Sequence, residues 1–75
     1  MTRPIKVIAQ DIRAHWPKVN YAAKPYLDAM SSLNSIDENY MFDSGKSVVN
    51  YFLSNAGTWR GEKAREIKAE LKAML

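Results

Sequence analysis

The stretch SGKSVVNYFLSNAGTW, Ser44–Trp59, predicts a helix that ends in a sharp corner. Its apolar residues recur at the three- and four-residue spacing that places them on one helical face. They are Val48, Val49, Phe52 and Ala56. Gly57 follows, and glycine adopts at little cost the left-handed conformation that ends many helices. We therefore predict a third helix from about Ser44 to Ala56, stopped at Gly57.

The residues after this stop predict a fourth helix that runs from about Trp59 to the C-terminus, with Thr58 as its cap. Trp59 is expected to anchor a tight corner between the two helices, although GTWRGEK, Gly57–Lys63, could also form an anion-binding helix start. Side chains of three kinds form separate stripes around the fourth helix. The apolar stripe is Ala64, Ile67, Leu71 and Met74, the acidic stripe is Glu62, Glu66 and Glu70, and the basic stripe is Arg65, Lys68 and Lys72.

Two further helices are predicted upstream. In the first, Thr2 is a candidate N-cap, Pro4 is tolerated in the first turn, and Pro17 ends the helix by forcing its neighbour out of the α region. Its inward residues are Ile5, Ile8, Ala9, Ile12 and Trp16. The second helix begins either at Asn20, with Pro25 early in the helix, or at Pro25 itself. Its apolar face is Tyr26, Ala29, Met30 and Leu33.

The segment SIDENYMF, residues 35–42, links the second and third helices. Ser35 and Glu38 have the spacing of a capping box, which predicts a short helical turn through Tyr40. Hydrophobic and polar residues do not alternate over five or more positions anywhere, so we expect no sheet. The predicted fold is all-α, a small orthogonal bundle of about four helices in a single domain, residues 1–75. The predicted core contains Ile8, Ile12, Trp16, Met30, Val49, Phe52, Trp59, Ile67 and Leu71.

Composition narrows the class of protein. The chain has 75 residues, a net charge of +3 and no cysteine, which excludes disulfides and thiolate chemistry. Its apolar runs are too short to span a membrane, and its start lacks the apolar core of a signal peptide. We expect a soluble, intracellular protein with no membrane partner.

The sequence DSGKS, Asp43–Ser47, resembles the end of a phosphate-binding loop. That loop needs a glycine five residues before its Gly-Lys pair, where this chain has Tyr40, and it needs a buried strand before it. We interpret the stretch as a helix start, with Asp43 as the cap and Gly45 as the site of a close approach by another helix.

Catalytic and metal-binding residues are not evident. Asp11 and His15 are four residues apart, so on one helix they can contact each other. Two such side chains are too few for a metal site, and their simplest interpretation is a surface ion pair. We expect no enzymatic activity and no cofactor.

Positive charge is concentrated at the two ends of the chain. Helix packing could bring these ends together into one basic face that includes Arg3 and has Tyr21 and Tyr26 nearby. The candidate partner-binding residues are Arg13, Arg60, Arg65, Lys68 and Lys72. Glutamates on the same last helix reduce the field that this face could produce.

The C-terminal third, YFLSNAGTWRGEKAREIKAELKAML from Tyr51, resembles small helical proteins encoded by tailed bacteriophages or prophages. The similarity extends more weakly through YLDAMSSLNSID, Tyr26–Asp37. The resemblance implies a phage gene expressed in a bacterial cytoplasm and a protein that binds host or phage macromolecules. We expect a protein–protein interaction module whose partner is a host or phage protein. The alternative is a nucleic-acid-binding protein that uses the basic stripe of the last helix.

Overall fold

The computed structural model describes residues 3–40 and 43–75. In this part of the chain there are four helices, α1 (Ile5–His15), α2 (Lys24–Met30), α3 (Gly45–Ser54) and α4 (Glu62–Met74). A two-stranded antiparallel hairpin, β1 (Asn39–Tyr40) and β2 (Asp43–Ser44), precedes α3. The mainly helical class is therefore confirmed, whereas the expectation of no sheet is wrong.

The first helix follows its sequence pattern closely. Ile5, Ile8, Ala9 and Ile12 are all buried on one face of α1, and Trp16 is buried just beyond its end. Pro4 occupies the N-cap position without a side-chain cap, and the predicted N-cap, Thr2, lies outside the described residues. Two backbone N–H groups at the start of α1, those of Ile5 and Lys6, donate instead to the carbonyls of Asn34 and Leu33. The beginning of α1 is thus held by the end of the α2 region.

The second helix begins between the two predicted starts. It opens at Lys24, after a turn over residues 21–23, and Pro25 is its second residue, where a missing N–H is harmless. Ala29, Met30 and Leu33 are buried as predicted, and Tyr26 is half-buried. Leu27, which the pattern analysis did not single out, is also completely buried.

The segment that precedes α3 does not form the predicted helical turn through Tyr40. The capping-box residues do interact with the backbone: the Glu38 side chain accepts hydrogen bonds from the N–H groups of Asn34 and Ser35. However, the Ser35 hydroxyl accepts from Asp37, two residues on, which produces a tight turn. The chain then extends, and Tyr40 pairs with Asp43 across the hairpin. A strand of two residues is too short to show an alternation of hydrophobic and polar residues in the sequence.

The third helix is capped by Ser44, not by Asp43. The Ser44 hydroxyl accepts a hydrogen bond of 3.1 Å from the Ser47 N–H, while Asp43 is an exposed residue of β2. Gly45 is buried as expected, but it packs against the backbone of residues 36–38 and not against another helix. DSGKS is therefore a strand end followed by a helix start, and Lys46 is exposed.

The corner between α3 and α4 lies in a longer connection than predicted. The last turn of α3 ends at Ser54, where the Asn55 side chain donates a 2.8 Å hydrogen bond to the Tyr51 carbonyl. The backbone of Gly57 does not adopt the predicted left-handed conformation. Of the described glycines, it is Gly61 that has a positive φ, 114°. Since Gly61 is the N-cap of α4, Thr58 does not cap that helix, and Trp59 precedes it.

The core forms where α2 packs on α3, and where α1 packs on both α2 and α4. All nine residues predicted for the core are buried. At its centre the Trp16 and Trp59 rings stack 5.4 Å apart with an interplanar angle of 6°. The rings of Trp16 and Phe52 are arranged edge to face, with their centroids 6.2 Å apart. This aromatic cluster joins the end of α1, the last turn of α3 and the connection that precedes α4.

Candidate interaction surface

The exposed side of α4 carries cations without ion-pair partners. Within residues 3–40 and 43–75, none of the four predicted basic residues of this region forms a salt bridge. They are Arg60, Arg65, Lys68 and Lys72, which we call the α4 cationic surface. Arg60, Arg65 and Lys72 are exposed, and Lys68 is half-buried.

Lys68 connects this surface to the aromatic core. Its ammonium donates a 2.7 Å hydrogen bond to the Trp59 carbonyl and lies 6.0 Å from the Trp59 ring centroid. Partial burial lowers the pKa of Lys68 below its ordinary value, and the positive charges of Lys72 and Arg60 lower it further. Lys68 is therefore close enough to Lys72 and to Arg60 to be repelled by both, and it forms no salt bridge with a carboxylate of the described residues.

Arg65 has different surroundings from the other three cations. It lines a shallow surface depression together with Glu62 and Glu66, both of which are exposed. The two carboxylates offset the charge of Arg65 locally. Arg65 consequently adds less net positive charge to the α4 cationic surface than its own formal charge.

Trp59 anchors the corner, as the sequence predicted for GTWRGEK. Its indole Nε1–H donates a 3.3 Å hydrogen bond to the His15 carbonyl at the end of α1. Its ring is buried against Trp16. In the first turn of α4, Glu62 supplies a negative charge that complements the helix dipole. The arrangement favours the helix corner over an anion-binding helix start.

Two basic residues predicted to join one common face are neutralised by carboxylates. Arg3 donates to Glu70 through Nε and Nη2, at 3.0 and 2.7 Å, and to Asp11 at 3.1 Å. Arg13 pairs with Asp28 on α2. These ion pairs reduce what Arg3 and Arg13 contribute to any positive face, although Arg13 also lines a separate cleft.

A cluster of ion pairs links α1 to α4. The predicted contact between Asp11 and His15 is confirmed at 3.0 Å, and Asp11 also pairs with Lys63 at 3.3 Å. Burial opposes ionisation of Asp11, but hydrogen bonds with Arg3 and Lys63 outweigh it and hold the pKa of Asp11 below its usual value. The hydrogen bond from Arg3 similarly lowers the pKa of Glu70. Both carboxylates contribute stability above their unfolded-state pKa, and this is lost as the pH falls through their folded-state pKa.

Two features of the surface were missed from sequence. Tyr26 of α2 and the exposed Tyr51 of α3 have ring centroids 5.3 Å apart, which no periodicity within either helix could reveal. The second feature is the cleft beside Arg13, which is assembled from α1, α2 and their connection. In the sequence, the signal for this cleft is limited to the basic and aromatic residues within positions 13–24.

In the described part of the chain, no three His, Asp or Glu side chains are grouped so that they could hold a metal ion. None of the helices in the described ranges has both the length and the apolar character needed to cross a membrane. Comparisons with protein-family models, curated proteins and solved structures returned no match to this chain.

Proposed function

We propose that this chain is a small non-enzymatic binding protein that holds an acidic protein partner against the α4 cationic surface. One observation carries the proposal: Lys68 lies near both Arg60 and Lys72, and none of the three forms a salt bridge with a described residue, whereas Arg3 and Lys63 are paired. Like charges kept together on a small domain lower its stability. An acidic partner would relieve that repulsion on binding.

The partner proposed is a protein, and nucleic acid is the alternative. Glu62 and Glu66 are exposed on the same helix as Lys68 and Lys72, and they would repel the continuous phosphates of a nucleic acid strand. A protein surface can place its own cations opposite these glutamates and its carboxylates opposite the lysines. The mixed charge pattern of α4 thus suits a protein partner better.

The biological setting belongs to the same proposal. The resemblance of the C-terminal third to tailed-phage proteins supports a gene of phage or prophage origin, acting in the bacterial cytoplasm on a host or phage protein. The short length and the rigid aromatic corner support binding, since the residues that would contact a partner are mounted on a fixed core.

The test compares two double variants with the same change in net charge. Arg60→Gln/Lys72→Gln removes two cations from the α4 cationic surface, and Lys6→Gln/Lys46→Gln removes two exposed lysines elsewhere. Lys68 is left intact because its hydrogen bond to Trp59 supports the corner. Each immobilised protein is incubated with nuclease-treated bacterial lysate, and retained proteins are quantified.

We expect an acidic protein to be retained by the parent and by the Lys6/Lys46 control. Two charged contacts of about 0.7 kcal/mol each correspond to about a tenfold loss of affinity in the Arg60/Lys72 variant. Equal retention by all three proteins would refute the proposed surface. Titration with duplex and single-stranded DNA at two salt concentrations tests the alternative: tight, salt-sensitive binding that the Arg60/Lys72 variant loses would identify nucleic acid as the partner.

A further inference from the structure

A second cationic site lies at the C-terminal end of α1, outside the α4 cationic surface. It is a cleft of about 280 Å³ formed by the last turn of α1, the connection that follows and the first residue of α2. Three cations and three apolar residues line it. They are Arg13, Lys18 and Lys24, and Trp16, Pro17 and Val19.

The apolar floor of the cleft is rigid. Trp16 packs against two other aromatic rings, the stacked ring of Trp59 and the ring of Phe52. Val19 is half-buried and packs against the core, and Pro17 has a restricted φ and no N–H to satisfy. A floor built in this way stays open to a ligand because its side chains cannot collapse inward.

The rim of the cleft carries unbalanced positive charge. Lys18 and Lys24 are exposed and form no salt bridge with any residue in the described ranges. Arg13 bonds to Asp28 and Ser31 through Nη2 alone, so its other N–H groups remain available for a further acceptor. Of the salt bridges among the described residues, the pair between Arg13 and Asp28 is the one that involves these three cations.

We infer that this cleft binds an acidic peptide segment that carries one apolar side chain between its carboxylates. The apolar side chain would lie on Trp16 and Val19, and the carboxylates would reach Lys18, Lys24 and Arg13. The volume is just below the usual range for small-molecule sites and suits a single side chain. The inference rests on the proposed function only in taking the ligand to be a segment of a protein.

The two sites share a structural support. Lys68 of the α4 cationic surface lies over Trp59, and Trp59 stacks on Trp16 in the floor of the cleft. Each site supplies its own cations, so each can be removed separately.

The experiment is a titration of the full chain with a synthetic acidic peptide, a leucine flanked on each side by glutamates, followed by tryptophan emission and by backbone amide NMR shifts. Control peptides replace the glutamates with glutamine or the leucine with alanine. The proteins are the parent, Lys18→Gln/Lys24→Gln, Lys6→Gln/Lys46→Gln and Arg60→Gln/Lys72→Gln. A single-stranded oligonucleotide is titrated in parallel.

For the parent we expect shifts at residues 16–19 and 24, with a change in tryptophan emission. Binding should weaken about tenfold in the Lys18/Lys24 variant, as expected for two lost charge contacts, and should be retained by the Lys6/Lys46 control. Both control peptides should bind more weakly than the parent peptide.

Three results would overturn the inference: no shifts at millimolar peptide and low salt, equal binding by the parent and the Lys18/Lys24 variant, or tighter binding of the oligonucleotide at the same residues. The Arg60/Lys72 variant separates this inference from the proposed function. If this variant binds the peptide as tightly as the parent does, the cleft is a binding site whether or not the α4 cationic surface has a partner.

Discussion

A glycine lies at the start of α3 and another lies at the start of α4, but the two positions require glycine for different physical reasons. At Gly45, an added Cβ would lie 2.6 Å from the Ile36 carbonyl oxygen and 2.9 Å from that of Glu38. At Gly61, an added Cβ would meet nothing within 4 Å, but the backbone has φ 114° and ψ 177°. Gly45 is required by space, and Gly61 is required by its dihedral angles.

The difference teaches how the two corners are held. Before α3, the chain packs backbone against backbone, and the Gly45 N–H donates a 2.7 Å hydrogen bond to the Glu38 carbonyl. Before α4, the backbone is open, and the corner is held by a side chain, Trp59, buried in the aromatic cluster. A substitution should therefore strain neighbouring atoms at the first corner and only the local backbone at the second.

Gly45→Ala should have the largest effect of the substitutions at these corners. The methyl group cannot fit unless the backbone of residues 36–38 moves, and overpacking of this kind costs about 3 kcal/mol. Thermal and urea unfolding measure the loss. Gly57→Ala is the matched control, because Gly57 has open space and no positive φ, and its stability should change by less than about 1 kcal/mol. Equal stability of the two variants would show that the close approach at Gly45 is absent.

Gly61→Ala should have a smaller effect, about 2 kcal/mol, because an L-residue is strained at this φ and ψ but meets no neighbouring atom. Chemical synthesis of the chain with D-alanine at position 61 sharpens the comparison. A D-residue adopts the mirror-image region without strain, so this chain should be at least as stable as the parent. If L- and D-alanine destabilise equally, the explanation by dihedral angles is wrong.

Ser44→Ala should cost about 1 kcal/mol, since it removes the side-chain acceptor that caps α3. Asp43→Ala is the paired control, and its effect should stay within about 0.5 kcal/mol because Asp43 is exposed and does not cap the helix. The unfolding midpoints of the two variants show whether Ser44 or Asp43 caps α3. A larger loss in Asp43→Ala would restore the cap that the sequence pattern suggested.

The candidate site could be predicted only in part from the sequence. The basic stripe of the last helix follows from helical spacing; its residues Arg65 and Lys72 are exposed, whereas Lys68 is half-buried and bonded to the Trp59 carbonyl. The pairing of Arg3 with Glu70 spans 67 residues of sequence, and the cleft at Lys18 and Lys24 depends on where α2 begins. Neither the ion pair nor the cleft has a signal in the local sequence, because each is formed by elements that only the packed fold brings together.

By itself the sequence determined the four helices and their buried faces. The spacing of residues such as Ile8, Ile12, Phe52 and Ile67 is a local property, and burying one apolar face is the main source of stability for a helix in a small domain. The tertiary structure decided the form of the segment before α3, the end of α3 and the caps of α3 and α4. Capping signals at Ser35, Asp43, Gly57 and Thr58 are weak, each worth about 1 kcal/mol, and the hairpin, the buried Trp59 and the stacked tryptophans together outweigh them.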